Sequence, residues 1–143
     1  MIQNERVNLV APCGIDCGIC ELYLCKDHKD LYNHLLAKGF PETKIPCKGC
    51  RNIEGYCPVI PEKCETYSCA EKEKATFCVD CTSFPCSKLM PSVDKAETLP
   101  HNMKMFNLCR IHAIGAEEFT KESVKIKATY YKGTMEIGKG PKL

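Results

Sequence analysis

The chain has no tryptophan, and phenylalanine and tyrosine together supply only 8% of its 143 residues. It also has no run of some eighteen apolar residues, so nothing in it reads as a membrane span. Its start, MIQNERVNLVAPCGIDC, has no charged stretch followed by an apolar one, the pattern of an export signal. The expected location is therefore a reducing cytoplasm, with no membrane attachment. There is no G-x-S-x-G, P-loop or glycine-rich dinucleotide turn, and no distinctive Cys/His arrangement for a thiol nucleophile. Net charge is also small, a formal +2 from 20 Lys and Arg against 18 Asp and Glu. Bulk electrostatic attraction to nucleic acid is therefore not indicated.

What the chain has in excess is cysteine, 13 residues of it. In a secreted protein that density would mean a disulfide scaffold; in a reducing compartment, short-spaced thiols point to metal. The odd count argues the same way. Setting the cysteines aside reduces the 44% hydrophobic fraction to about 35%, a modest supply for a single domain that buries roughly two-thirds of its chain surface. The cysteine-rich part is thus expected to depend on metal for stability.

The cysteines fall into sets. Cys13, Cys17, Cys20 and Cys25 come first, in PCGIDCGICELYLC. Asp16 is suited to cap a helix, and Gly18 to Lys38 reads as one helix or two short ones, with Ile19, Leu22, Tyr23, Leu31 and Leu35 inward and Gly39 as the stop. Cys25 reads as a core thiol. Cys13-x3-Cys17-x2-Cys20 also has the spacing that binds a 4Fe-4S cluster in radical S-adenosylmethionine enzymes, but those wrap it in a β/α barrel of more than about 200 residues.

The second set begins with Pro46-Cys47-Lys48-Gly49-Cys50. Glycine before the second cysteine suits a knuckle in which backbone N–H groups approach sulfur while both thiolates converge on an ion. Cys64 and Cys69 are taken to complete that site, with Cys69 at a helix start marked by Ser68 and Glu71 and Cys57 left over. The third set is Cys78, Cys81 and Cys86, the last opening a short helix from Ser87 to Met90. Its fourth position is filled either by a cysteine of the first set, giving a structural site, or by water, giving a Lewis acid. Thiolates alone do not identify the metal; knuckles separated by loops favour zinc, two ions in all, with a 4Fe-4S cluster as the alternative.

Taken in order, P-C-G-I-D-C-G-I-C, C-K-G-C-R, C-x4-C-A-E-K and F-C-x2-C-x2-F-P-C-S-K-L resemble the small cysteine-rich prokaryotic proteins of domain-of-unknown-function family 3795. The resemblance runs from Pro12 to Gly115. It implies zinc binding and no particular reaction. The cysteines that match are Cys13, Cys17, Cys20, Cys47, Cys50, Cys64, Cys69, Cys78, Cys81 and Cys86; Cys25, Cys57 and Cys109 do not belong to the pattern.

Beyond the knuckle region, about residues 12–90, a turn-rich stretch from Pro91 to Pro100 leads into a helical pattern from His101 to Ala113, with Met105, Phe106, Cys109 and Ala113 on its buried face and Gly115 as its stop. Val124 to Tyr130 alternates apolar and polar residues as a strand would, and Lys132-Gly133 would turn it toward Met135 to Ile137, leaving a loose tail from Gly138. His28 reads as a solvated helix residue, and the lysines between 121 and 142 as a solvated basic end. The expected fold is a single small, irregular α+β domain: short helices and zinc-knuckle loops packed on a helical core at about residues 99–137, with a C-terminal β-hairpin. The expected function is that of a metal-binding protein whose four-cysteine sites support a protein- or nucleic-acid-interaction surface. A thiol redox or Fe–S protein and an enzyme with an open zinc site are the alternatives.

Overall fold

The computed structural model describes residues 2–89 and 103–143. Six α-helices carry the fold: α1 Glu5–Asn8, α2 Glu21–Leu24, α3 Lys29–Ala37, α4 Glu65–Lys72, α5 Met103–Ile114 and α6 Ala116–Lys132. Short 3-10 turns at Cys17–Ile19, Cys78–Asp80 and Ser87–Leu89 carry or follow cysteines. Strands β1, Thr134–Glu136, and β2, Gly140–Lys142, pair antiparallel with Met135 opposite Pro141. A three-residue ladder is too short to form a layer, so the fold is mostly helical, small and irregular. Among the described residues no helix is long and apolar enough to cross a membrane.

Two apolar clusters divide the work of packing. The larger joins Val7 and Val10 of the N-terminal segment to Leu108 and Ile111 of α5 and Phe119 of α6, with Phe77 and Leu89 from the cysteine-rich part. The smaller unites Leu22, Cys25, Leu35 and Ile45. Cys13 and Cys78 pack against the first, Cys20 and Cys47 against the second, so the cysteine loops join the two.

Several local expectations hold. Cys25 is buried, and its Sγ donates to the Leu22 carbonyl at 3.3 Å. Gly39 and Gly115 end α3 and α5 with φ of +94° and +84°, where glycine costs least. His28 is exposed at the N-cap position of α3. The segment from Gly18 to Lys38 is two short helices preceded by a 3-10 turn.

Others need correction. Val124 to Tyr130 is helix, not strand: it lies within α6, whose buried face is set by Phe119 and Ser123, with Ile126 half-buried beyond them. The residues Gly140–Lys142, expected to be loose, pair instead with β1. On α5 the buried face is Met103, Asn107, Leu108 and Ile111; Phe106 is 57% exposed and Cys109 is also on the surface, so Cys109 is not a buried thiol. Asn107 turns the helix this way, because its Nδ2 donates to the Gly14 carbonyl at 2.8 Å and draws its side chain inward. Helix α4 starts at Glu65 with Cys64 at its N-cap, so Cys69 sits in mid-helix and Ser68 and Glu71 cap nothing. The turn after Cys86 is 3-10 and runs Ser87–Leu89. Met90, the stretch Pro91 to Pro100, His101 and Asn102 lie outside the described residues.

Candidate metal centre

All 13 cysteines are free thiols. Two of the C-x2-C motifs fold alike. In the turns Cys17–Ile19 and Cys78–Asp80 the N–H of the second cysteine, Cys20 or Cys81, donates to the carbonyl of the first at 3.1 Å. The second cysteine then leaves the turn extended, at φ −78° and ψ 138° for Cys20 and φ −76° and ψ 138° for Cys81. A carboxylate stabilises each turn. Asp16 Oδ1 accepts from the Gly18 N–H at 2.9 Å, the cap foreseen for it, and Asp80 Oδ2 accepts from the Phe77 N–H at 3.1 Å. Residues three apart eclipse one another in a 3-10 turn, so both thiols of each motif are offered to the same side.

The third motif is the knuckle Cys47–Cys50. Gly49 adopts φ +90° and donates its N–H to Cys47 Sγ at 3.4 Å, the contact anticipated for a glycine here. A Cβ at Gly49 would stand 2.9 Å from the Leu9 side chain and 3.7 Å from Cys17 Cβ, so glycine also allows the knuckle to approach the first set. The Cys50 N–H donates to Cys17 Sγ at 3.5 Å, and the two thiols are hydrogen-bonded to each other. That bond is the largest influence on both: it holds Cys17 below the usual thiol range and, together with burial, pushes Cys50 far above it. Backbone bonds lock the arrangement, Cys17 N–H to Leu9 O at 2.9 Å and Cys47 N–H to Leu22 O at 2.7 Å.

The structure therefore brings Cys47 and Cys50 to Cys17 and Cys20, and not to Cys69. Cys69 projects from α4 into a cavity of ≈ 30 Å³ that Cys78, Cys81 and Cys86 also line, with Phe84 and Leu89 in its wall. Cys69 thus shares a cavity with the third set, whereas no cysteine of the first set lines it. Thr66 on the same helix donates from Oγ1 to Lys88 O at 3.3 Å and ties the turn after Cys86 to α4. Cys78 is raised to about 12, by burial first and then by the neighbouring thiols Cys13, Cys86, Cys69 and Cys81. Cys13 lies between the two groups: burial raises it to about 11, opposed by the charge of Lys104 and reinforced by Cys17 and Cys64.

Cys57 and Cys64 are drawn toward the first group. The Cys64 N–H donates to Gly55 O at 2.9 Å, and the Gly55 N–H donates to Cys50 O at 3.0 Å, so one residue ties Cys64 to the knuckle. Cys57 is raised by burial and then by Cys47, Cys17 and Cys64, and its sulfur accepts the Val59 N–H.

Arg51 fastens the two groups together. Its Nε donates to Val10 O at 2.8 Å, its Nη2 to Thr76 O at 2.6 Å, and its guanidinium lies 5.0 Å from the centre of the Phe77 ring. Burial lowers its pKa, and the charges of Tyr67, Cys50, Cys13 and Cys17 oppose that shift. Among the described residues no group of three or more His, Cys, Asp or Glu side chains is gathered tightly enough to hold a metal ion as it stands. The donor set itself, soft thiols in paired turns with N–H groups aimed at sulfur, is what zinc and iron–sulfur centres use.

A family model described as protein of unknown function (DUF3795) matches residues 9–91. The chain belongs to this family. The matched segment contains every cysteine except Cys109, the thiol that the fold leaves on the surface of α5. No curated protein and no solved structure matches the chain.

Proposed function

We propose that this member of the family is a cytoplasmic zinc-binding protein in which two thiolate centres are structural, one built on Cys17, Cys20, Cys47 and Cys50, the other on Cys69, Cys78, Cys81 and Cys86. The loops they fix present a surface to another protein or to a nucleic acid. Zinc held by four thiolates cross-links loops and contributes folding free energy directly. The observation that carries the reading is the cavity of ≈ 30 Å³ shared by four thiols from α4 and two separate turns. A water needs about 10–15 Å³, so that space suits a single ion better than an eight-atom 4Fe-4S cluster.

The test is removal. Protein purified without oxygen is expected to contain zinc by elemental analysis, and a chelator should abolish the ordered circular dichroism of the cysteine-rich part. An unchanged spectrum after verified metal loss refutes the structural role.

A redox reading draws on one specific feature, the thiol–thiol hydrogen bond between Cys17 and Cys50. Mild peroxide that oxidises this pair and releases zinc would support it. An enzyme with an open zinc position would need three ligands and water at Cys78, Cys81 and Cys86, and Cys69 beside them favours closure. X-ray absorption decides between these, four sulfurs on every zinc excluding the open site.

A further inference from the structure

Helix α5 carries two apolar faces, and the core uses only one. Met103, Leu108 and Ile111 turn inward with Asn107, whereas Phe106, Cys109 and Ala113, three and four residues apart, stand exposed on another side. Beside that second face runs α6 with Ile126 and Tyr130, and the two helices leave between them a cleft of ≈ 720 Å³. Small-molecule sites run from roughly 300 to 1,000 Å³. We infer that this cleft binds an amphipathic monoanion, a carboxylic acid whose carboxylate meets Arg110 and Lys125 and whose hydrocarbon part lies along Phe106, Ile126 and Tyr130. The site is separate from the thiols proposed to hold zinc, none of which lines it.

Charge and hydrocarbon are sorted along the cleft. Arg110 Nε and Nη2 each donate to Glu122 at 2.8 Å, a pair that reaches from α5 to α6 and sets which residues stand opposite one another. Four residues from that pair, on the side away from Gly115, come Phe106 on one helix and Ile126 on the other, about 6 Å along the axis. Tyr130 follows one turn later. Its ring stands edge-on to that of Tyr131 with centroids 5.2 Å apart, which braces the apolar end of the wall.

Glu122 occupies only part of the guanidinium. Its two oxygens take Nε and Nη2, which leaves the Nη1 donors to a ligand. Lys125 lies three residues from Glu122 on the same helix face and also lines the cleft. Two cations against one carboxylate leave a positive charge to be matched, and an anion matches it.

The extent of the lining selects a small occupant. Nine residues line the cleft, against the roughly 20–30 a side that a stable protein interface takes. A second copy of the chain would find too little to hold, whereas one hydrocarbon acid can be enclosed between the helices.

The test uses the full chain as purified, with decanoate as the probe, below the concentration at which it forms micelles. Backbone-amide NMR should show saturable shifts, one site per chain, confined to α5 and α6. Decanol and decylammonium should bind about tenfold more weakly, since neither offers an anion to Arg110 and Lys125. Lys125→Glu should weaken decanoate by about the same factor, and Phe106→Glu, at a side chain 57% exposed, should abolish binding with the circular dichroism unchanged. Absence of a saturable shift with decanoate overturns the site, and so does equal binding of the three probes. A chain that dimerises, and that Phe106→Glu returns to monomer, puts a second copy in the cleft and refutes the small acid. If a variant does not fold, the three probes on the unaltered chain decide alone.

Discussion

Arg51 is the side chain on which the two cysteine groups most visibly depend, and replacing it by alanine measures that dependence. Three contacts disappear. The Val10 carbonyl, on a fully buried residue, loses its 2.8 Å bond from Nε and is stranded without water, at a cost of about 1–3 kcal/mol. The Thr76 carbonyl is on an exposed residue and can turn to solvent, so losing the Nη2 bond costs about 0.5–1 kcal/mol. Stacking of the guanidinium on Phe77, half screened from water, adds about 1 kcal/mol. The total is about 2.5–5 kcal/mol, and with a urea dependence of about 2 kcal/mol per molar the midpoint should fall by about 1–2.5 M. The assay is urea unfolding at one fixed concentration of free zinc, since bound metal itself shifts the midpoint. Arg51→Lys retains the charge but reaches one carbonyl at most, so it should recover less than half of the loss. If lysine restored the wild-type midpoint, charge alone would be the cause and the two-carbonyl clamp would be refuted.

Asp16→Ala should cost about 3 kcal/mol, because its carboxylate, 1% exposed, takes both Arg6 Nη1 at 2.8 Å and the Gly18 N–H, although Arg6 is 37% exposed and can be rehydrated. Asp16→Asn keeps the cap and should lose less; equal melting temperatures for the two variants would refute the separation of cap from ion pair. Phe119→Ala, at the fully buried centre of α6, should cost about 3–5 kcal/mol in the same denaturation assay, and a loss under about 1 kcal/mol would place the core elsewhere. Metal-free protein should lose its residual helical signal as pH rises from 9 toward 11. Cys13 is raised by burial from 9.0 to about 11, so the folded form holds a proton that the unfolded form releases, and stability present below pH 9 is lost through that window. A metal-free form that becomes more stable above pH 9 would show that Cys13 is not buried as a thiol.

Much of the local chemistry was legible in the sequence because it is local. The cap at Asp16, the stops at Gly39 and Gly115, the core thiol Cys25 and the N–H to sulfur contact at Gly49 each depend on two or three neighbouring residues. The grouping of knuckles was not legible. Cys17 meets Cys50 across 33 positions, and the Cys78 N–H reaches Pro12 O, contacts that no spacing encodes. The two misread helix faces share one cause, a polar residue in the core. Phe119, Ser123 and Ile126 form a helical stripe, but Ser123 interrupts it and leaves V-K-I-K-A-T-Y to suggest a strand. Its burial becomes intelligible only once Arg6 Nη2 is seen 3.5 Å from its Oγ. Asn107 hid the face of α5 in the same way, being buried to hold Gly14 O.

Those two polar residues also explain how helices without a ligand can control the centre. Asn107 of α5 holds the Gly14 carbonyl between Cys13 and Cys17, where a Cβ would stand 3.0 Å from Leu108 Cγ and glycine at φ +87° is required. Lys127 of α6 donates to Ile19 O and to Glu21 at 3.0 Å, between and just after Cys17 and Cys20. Arg6 of α1 holds Asp16 from below. Every residue between Cys13 and Glu21 is thus within two positions of a clamp from α1, α5 or α6, and those helices share one core through Val7, Leu108 and Phe119. A ligand loop so held cannot rearrange without disturbing that core, and the core cannot loosen without opening the loop. If Cys17 and Cys20 hold zinc as proposed, metal affinity there and the packing of Phe119 are two readings of one equilibrium, so a cavity made far from any cysteine, as in Phe119→Ala, should also weaken zinc retention against a chelator.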